Sequence, residues 1–368
     1  MSKSENVEYV TEGKTRVLVF KKKMSRKGPG SKDKMPFYNP AMELNRDFSV
    51  VLGQWLINKS NYHIKLLDGL AASGVRGLRF LSELDGDFEV FINDWNKDSY
   101  DLIKKNAENF KKTNVSVTNR NLNSLLSENK FHYIDVDPFG SPAGFIDSSI
   151  RSIYHDGVLA CTATDTATLC GVYPKVCLRR YGARPLHSSV MHEIGLRILL
   201  GFICREAGKY DKGIEPLVCY STDYYFRLYV RVKNGVDYAN ESVDNLCVIN
   251  SKKIGSYFGK SVDFGPLWMG KLQDKRVVQE LRTILFKKEL NTRHEIWKLL
   301  SLLEEEADAP AFFYIISDLS SSLKKSAPKM KTIFEKLQEK GYVVTRTHFS
   351  ENGFKTDAPL DEIKKVFV

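Results

Sequence analysis

The sequence predicts an α/β fold, a doubly wound parallel sheet of the class I Rossmann-like type followed by a smaller α+β, winged-helix-like C-terminal domain. Three observations predict it. Short runs that read as strands at 65–67, 90–92, 115–118, 133–136 and 158–162 alternate with stretches of helical spacing, and βαβα alternation builds a parallel sheet. A small-residue loop with three glycines, Gly69, Gly74 and Gly77, follows the first of these runs. After Asn234-Gly235 the texture turns helical and charged and closes on a strand and a hairpin.

In chain order, 50–58 and 98–111 have helical spacing, and 187–207 is a longer amphipathic helix. The runs 217–220 and 224–233 read as two closing strands, the second rich in Tyr, Phe and Val. Further on, 318–324 is a helix, Lys325-Ser326-Ala327-Pro328 a turn, and 329–340 a helix stopped by Gly341. A strand at 342–349 and a hairpin at Ser350-Glu351-Asn352-Gly353 complete a helix, turn, helix and wing. That arrangement suits nucleic acid, with an ordinary packing domain as the alternative. The expected domains are 1–236, a connecting insert 237–270, and a C-terminal nucleic-acid-binding portion 271–368.

The chemistry concentrates at strand ends. In Ile134-Asp135-Val136-Asp137-Pro138-Phe139-Gly140-Ser141-Pro142 an apolar strand runs into Asp137, and Pro138 cannot continue the ladder. Open α/β sheets bind ligands at such ends. A carboxylate followed by an aromatic ring suits chemistry on the exocyclic amine of a flat base, since the ring stacks and the oxygens accept amine hydrogens. The plain alternative is a turn aspartate capping its own backbone. The Asp68–Gly77 loop is a nucleotide-binding βα turn, but its glycines do not match the dinucleotide spacing, so a pyrophosphate is not the evident ligand. Asp94 ends the next strand, where a carboxylate grips ribose hydroxyls. Loop, Asp94 and Asp137 together describe an S-adenosylmethionine-dependent methyltransferase, the alternative being a Rossmann-like domain for another nucleotide.

At 368 residues the chain accommodates about two domains. A hydrophobic content of 42% excludes general disorder. No apolar run approaches the roughly 18 residues of a membrane helix, and Met1-Ser2-Lys3-Ser4-Glu5 lacks the apolar core of a signal peptide. The expectation is a soluble intracellular protein, in nucleus or cytoplasm if eukaryotic and in cytoplasm otherwise. A net charge of +10 and a pI near 9.1 favour a polyanionic partner. Residues 21–34 hold seven basic residues, Lys21, Lys22 and Lys23 among them, against one acid. This loop can clamp phosphates, or be a solvated or localisation segment. It leads into Met35-Pro36-Phe37-Tyr38-Asn39-Pro40, a rigid aromatic segment suited to stacking an extruded base. Six cysteines without a C-x-x-C pair point to reduced thiols. His187 and His192, five apart, do not share a helix face and read as structural or RNA-facing residues rather than metal ligands.

The chain resembles the tRNA (guanine-26-N2) dimethyltransferase family over most of its length. The resemblance rests on Glu12-Gly13-Lys14, Phe37-Tyr38-Asn39-Pro40, Leu44-Asn45-Arg46-Asp47, the Asp68–Gly77 loop, Asp137 to Pro142, Thr162-Ala163-Thr164-Asp165, His192-Glu193 and Gly265-Pro266-Leu267-Trp268. It implies a monomeric, tRNA-binding enzyme that uses S-adenosylmethionine, releases S-adenosylhomocysteine and carries Asp137 as catalytic residue. It further implies cofactor contacts from Arg46, Asp68, Gly69, Ala71, Arg76 and Asp94, and from Asn121 and Leu122 where family members commonly have an acid. Phe37 and Phe139 would sandwich the flipped guanine, and Asp165 would line the pocket. Many members carry a zinc-binding cysteine cluster before the Gly-Pro-Leu-Trp motif; only Cys247 stands there, so no metal is expected. Two other readings stay open: a catalytically silent tRNA-binding protein, and a methyltransferase for another RNA base amine, since adenine N6 and cytosine N4 enzymes also place Asp or Asn before Pro and an aromatic.

Overall fold

A computed structural model describes residues 7–21, 38–222, 224–254 and 259–367. The chain divides into two compact units that interleave along the sequence: 1–164, 227–234 and 279–298 form the first, and 165–226, 235–278 and 299–368 the second.

The first unit opens with a hairpin, β1 (Val7–Glu12) and β2 (Thr15–Phe20), which pair antiparallel about a turn in which Gly13 has φ +51°. A Cβ on Gly13 would stand 2.7 Å from the Glu83 carboxylate and 2.9 Å from Arg79, so the turn packs too closely for a side chain. Asn39 caps a single 3-10 turn by accepting from Ala41 N at 3.1 Å, and α1 (Glu43–Lys59) follows with its central turns wholly buried. Strand β3 (Ile64–Asp68), α2 (Val75–Glu83), β4 (Phe88–Asn93), α3 (Lys97–Glu108), β5 (Val115–Thr118), α4 (Leu122–Glu128), β6 (Phe131–Val136), α5 (Ala143–Ser152) and β7 (Ile153–Ala163) supply the expected alternation. Their strands run in the order β5-β4-β3-β6-β7, all parallel, with strand Phe226–Asn234 beside β7. The order reverses direction between β3 and β6, the switch point at which such sheets open a crevice beyond the strand ends.

Charge is buried deliberately in this unit. Arg79 is fully enclosed and meets Asp47 at 2.5 Å, Glu83 at 2.9 Å and Glu12 at 3.3 Å. Such a cluster is stable only because each ion keeps an opposite partner.

In the second unit, helix Met191–Gly208 starts four residues later than the spacing suggests, because Met191 N closes a turn on Ser188 O at 3.1 Å. Strands Leu246–Asn250 and Asp263–Trp268 pair antiparallel. Helices Ile316–Leu323 and Met330–Gln338 and the strands Tyr314–Ile315, Val344–Thr347 and Ser350–Thr356 give the winged arrangement, packed on Ile316, Leu319, Ile333, Leu337 and Phe354. The wing strand is shorter than the 342–349 run, since Gly341 turns at φ +85° and Val343 N is held by Asp357 rather than by a strand. The core of this unit contains an ionic chain. Glu193 accepts from Arg197 Nε at 2.9 Å, Phe312 N at 2.9 Å and Lys355 at 3.0 Å, while Glu306 holds Thr347 at 2.8 Å and the His348 ring.

Candidate active site

The parallel strands deliver three acids to one end of the sheet. Asp68 ends β3, and its buried Oδ2 accepts from Gly77 N at 2.9 Å, fixing the first turn of α2. Burial pushes its carboxyl up to about 7, against the pull of Arg76. The loop between them is bound to neighbouring strands: Gly69 N donates to Asp135 O at 3.1 Å and Ala71 N to Asn93 O at 2.9 Å. A Cβ on Gly69 would lie 2.9 Å from both Asp135 O and Leu122, so this glycine is required by close approach. Asp94, just past β4, is mostly buried and accepts from Ala72 N at 2.7 Å and Asn96 N at 2.8 Å. Burial raises its carboxyl above the usual range despite those two bonds.

Asp137 emerges one residue beyond β6 with a partly exposed carboxylate, and Phe139 after it is 43% exposed. The turn is fixed from below, because Gly140, at φ +88°, donates to Thr164 Oγ1 at 2.7 Å and accepts from Thr164 N at 3.0 Å. Arg76 Nη2 donates to Asp137 Oδ2. The same guanidinium donates through Nη1 to Asn45 Oδ1 at 2.8 Å and Ser49 Oγ at 2.5 Å, and lies 3.5 Å from Asp135. Behind it, the fully buried Arg227 clamps Asp135 at 2.6 and 3.0 Å and donates to Thr162 at 2.8 Å and Ser49 at 3.0 Å. Burial works against charge at Asp135, but Arg227 and Arg76 hold its carboxyl below the usual range.

The remaining sequence-derived residues divide by place. Arg46 is buried and forks onto Glu12 at 2.8 and 2.5 Å, with a further bond to Asn39 O at 2.9 Å. Glu12 also receives the Tyr38 hydroxyl at 2.7 Å. Asn121 caps α4, its Oδ1 accepting from Asn123 N at 3.0 Å and Ser124 N at 3.4 Å, and Leu122 is buried. Asp165 belongs to the second unit, where Tyr181 at 2.7 Å and Arg180 at 3.1 Å take its carboxylate. Lys21 is exposed; Lys22, Lys23 and Phe37 lie outside the described residues. All six cysteines carry free thiols, and among the described residues no helix is long and apolar enough to cross a membrane.

Comparison with known proteins bears on the whole chain. The family described as N2,N2-dimethylguanosine tRNA methyltransferase matches residues 13–368. The tRNA (guanine(26)-N(2))-dimethyltransferase of Pyrococcus furiosus is 41% identical over 383 aligned residues, covering 97% of each chain. Its counterpart from Pyrococcus abyssi is 39% identical and covers 96% of each. This chain belongs to the N2,N2-dimethylguanosine tRNA methyltransferase family. Its fold agrees with the structure of Trm1 from Pyrococcus horikoshii in complex with S-adenosylmethionine, at a TM-score of 0.87 and 36% identity over 98% of this chain and 99% of that one.

Within this dimethyltransferase-family chain, two features escaped the sequence. Trp95 stands 76% exposed directly after Asp94, a large flat surface just beyond the end of β4. The Asp-Trp pair was visible in the sequence, although only the fold shows that the ring faces solvent. Arg227 and Asp135 form the second feature. Each reads as a strand residue by pattern, and nothing local says that they meet across 92 residues. The donor set fits a cationic nucleoside cofactor: two buried acids, Asp68 and Asp94, both pushed upward by burial, flank a backbone loop that only glycine allows.

Proposed function

We infer that this protein transfers methyl groups from S-adenosylmethionine to the exocyclic N2 of guanine 26 in tRNA, giving dimethylguanosine. The single observation that carries the chemistry is Asp137, a carboxylate presented at the switch-point strand end, oriented by Arg76 and followed by the exposed ring of Phe139. Family membership supplies the substrate class.

The bound cofactor supplies an electrophilic methyl on a sulfonium. The residues of the chain do the rest. Guanine N2 is a poor nucleophile because its lone pair is delocalised into the ring. Asp137 accepts an amine hydrogen, orients the lone pair and offsets positive charge growing on nitrogen. Arg76 takes one carboxylate oxygen, so the other is left to face the amine. Positioning carries more of the acceleration than proton transfer, since two aligned reactants avoid most of the entropic barrier. Phe139, and Phe37 by resemblance, stack the extruded base. Asp94 takes the ribose, and Trp95 offers a face to the adenine. Asp68 and the loop residues Gly69 and Ala71 fit the amino-acid end of the cofactor. The role of Arg46 is to hold Glu12 and Tyr38 beside that end, and Asn121 with Leu122 close the adenine side. Residues 271–368 and the basic loop from Lys21 bind tRNA, which places the protein where tRNA is found, in nucleus or cytoplasm, as a monomer.

The test is methyl transfer from labelled S-adenosylmethionine to unmodified tRNA, with nucleoside mass spectrometry of the product. Dimethylguanosine is expected from a transcript with guanine at position 26 and none from a matched transcript without it. Binding of cofactor and tRNA without transfer would overturn the assignment in favour of a silent platform.

A further inference from the structure

We propose that helix Pro174–Tyr181 and the residues flanking it form a phosphate-binding surface for tRNA, separate from the basic loop at Lys21 and from residues 271–368; this rests on the function inferred above. Lys175, Arg179 and Arg184 take backbone phosphates, and the Tyr173 ring packs on an adjoining nucleotide.

The chain around this helix is depleted of acid. Residues 166–192 contain no Asp or Glu but four cations, Lys175, Arg179, Arg180 and Arg184, whereas 45 acids in 368 residues would place about three in such a stretch. The acids at its two ends are engaged inside the fold. Asp165 is taken by Tyr181 at 2.7 Å and Arg180 at 3.1 Å, and the fully buried Glu193 holds Arg197 and Lys355. Arg180 is therefore already paired. The other three are not: Lys175, Arg179 and Arg184 are exposed, and none of them makes an ion pair or a side-chain hydrogen bond among the described residues. Exposed cations without counter-charges raise the local concentration of a polyanion and are free to neutralise its phosphates.

The cations and the ring sit on a fixed scaffold. Within the helix Lys175, Leu178 and Arg179 share one exposed face at i, i+3 and i+4, while Cys177 and Tyr181 on the opposite face are buried. Both flanks are tied down. Tyr181 donates its hydroxyl to Asp165 and accepts from Arg205 at its carbonyl, and Arg184 bridges Gly265 through two backbone bonds of 2.8 Å. On the other side the His187 ring bonds Cys170 O at 3.0 Å. Tyr173 is 55% exposed directly before Pro174, whose ring restricts the tyrosine backbone to non-helical angles. A flat ring held beside cations stacks a nucleotide without sequence preference, and a surface ordered in advance loses little entropy on docking.

Charge decides the occupant. An apolar helix would leave the three cations unpaired, and a second copy of the chain would set the cations of one protomer against those of the other. A phosphodiester backbone offers a counter-charge to each of them.

The experiment uses full-length protein with the double substitution Lys175→Gln/Arg179→Gln, the conservative pair Lys175→Arg/Arg179→Lys, and the single substitutions Arg184→Gln and Tyr173→Ala. Wild-type protein is first shown to methylate tRNA; if it neither binds nor methylates tRNA, the proposed function itself fails. Given active wild type, the slope of log Kd against log salt is expected to shrink by about 1.8 in the double variant and about 0.9 in Arg184→Gln, one phosphate being lost per cation. At 0.1 M salt this raises the Kd for tRNA up to about 60-fold and about 8-fold respectively. Tyr173→Ala raises it about 5-fold or more with the slope unchanged, because stacking neutralises no phosphate. The kcat at saturating tRNA and the Kd for S-adenosylmethionine stay at wild-type values throughout. The conservative pair retains slope and affinity, which separates a charge role from a folding defect. A slope and a tRNA Kd unchanged in both the double variant and Arg184→Gln, with wild type active, would overturn the inference alone. So would light scattering that shows a wild-type dimer converted to monomer by the double substitution while the tRNA Kd stays the same.

Discussion

Replacing Asp137 by asparagine keeps its volume and removes its charge, and the structure fixes what the carboxamide must then do. Arg76 carries only donors, and its Nη2 is bonded to Asp137 Oδ2. The amide oxygen of asparagine has to face Arg76, which turns its NH2 toward the place where the guanine amine arrives. A donor then meets a donor. The substitution therefore deletes the acceptor outright, whereas a freely rotating asparagine would still offer one. Losing a hydrogen bond to a charged partner costs about 3 kcal/mol at the upper end, which corresponds to roughly a hundredfold in kcat. Because Arg76 keeps Asn45, Ser49 and one amide oxygen, stability and cofactor affinity should hardly change. The assay is single-turnover methyl transfer at saturating tRNA, with cofactor affinity measured separately by calorimetry. A kcat within tenfold of wild type would refute the acceptor role. Parallel loss of cofactor binding would show that Asp137 is a structural partner of Arg76 instead.

Three further outcomes follow from the buried charges. Asp68 has a folded-state carboxyl raised to about 7, so the unfolded chain gives up its proton first and stability falls as pH rises from about 4 to 7. Asp68→Asn should remove up to about 4 kcal/mol of that slope; urea midpoints that fall in parallel for variant and wild type from pH 4 to 8 would contradict it. Glu306 runs the other way. Burial disfavours its charge, yet His348 and Lys355 hold the carboxyl down to about 2. Its contribution is present above about pH 4.5 and is lost as pH falls toward 2, so Glu306→Gln should cost about 3 kcal/mol at pH 7 and progressively less in acid. Arg227→Met leaves the buried carboxylate of Asp135 with Arg76 at 3.5 Å as its nearest cation and the Tyr133 hydroxyl at 2.7 Å, and should cost about 3–5 kcal/mol, with a deficit that shrinks as pH falls and Asp135 takes up a proton. Thermal unfolding across pH checks both, and a pH-independent deficit would point to lost packing instead.

How far the sequence reaches is clearest at particular elements. Strand 115–118 coincides with its sequence-derived limits, and β3, β4, β6 and β7 extend theirs by a few residues, because alternating β-branched runs bounded by Gly, Asn and Asp are local signals. The β1–β2 hairpin was not anticipated. Its turn is a single glycine whose need for φ +51° arises from packing against Glu83 and Arg79, about 70 residues distant in the chain. Asp68, Asp94 and Asp137 were all legible as acids after strands, and the fold brings them to one end of one sheet.

By itself the sequence determined the alternation of elements, the strand-end acids, the glycine loop and the family, since each is written in contiguous residues. Only the tertiary structure decided who pairs with whom. Arg76 meets Asp137, Arg227 meets Asp135, Arg46 turns onto Glu12, and residues 279–298 join a unit that begins near the N-terminus. The reason is physical. An isolated charge cannot be buried without a partner, and which partner is in reach depends on where the sheet and helices bring distant segments together, not on the neighbours a residue has in sequence.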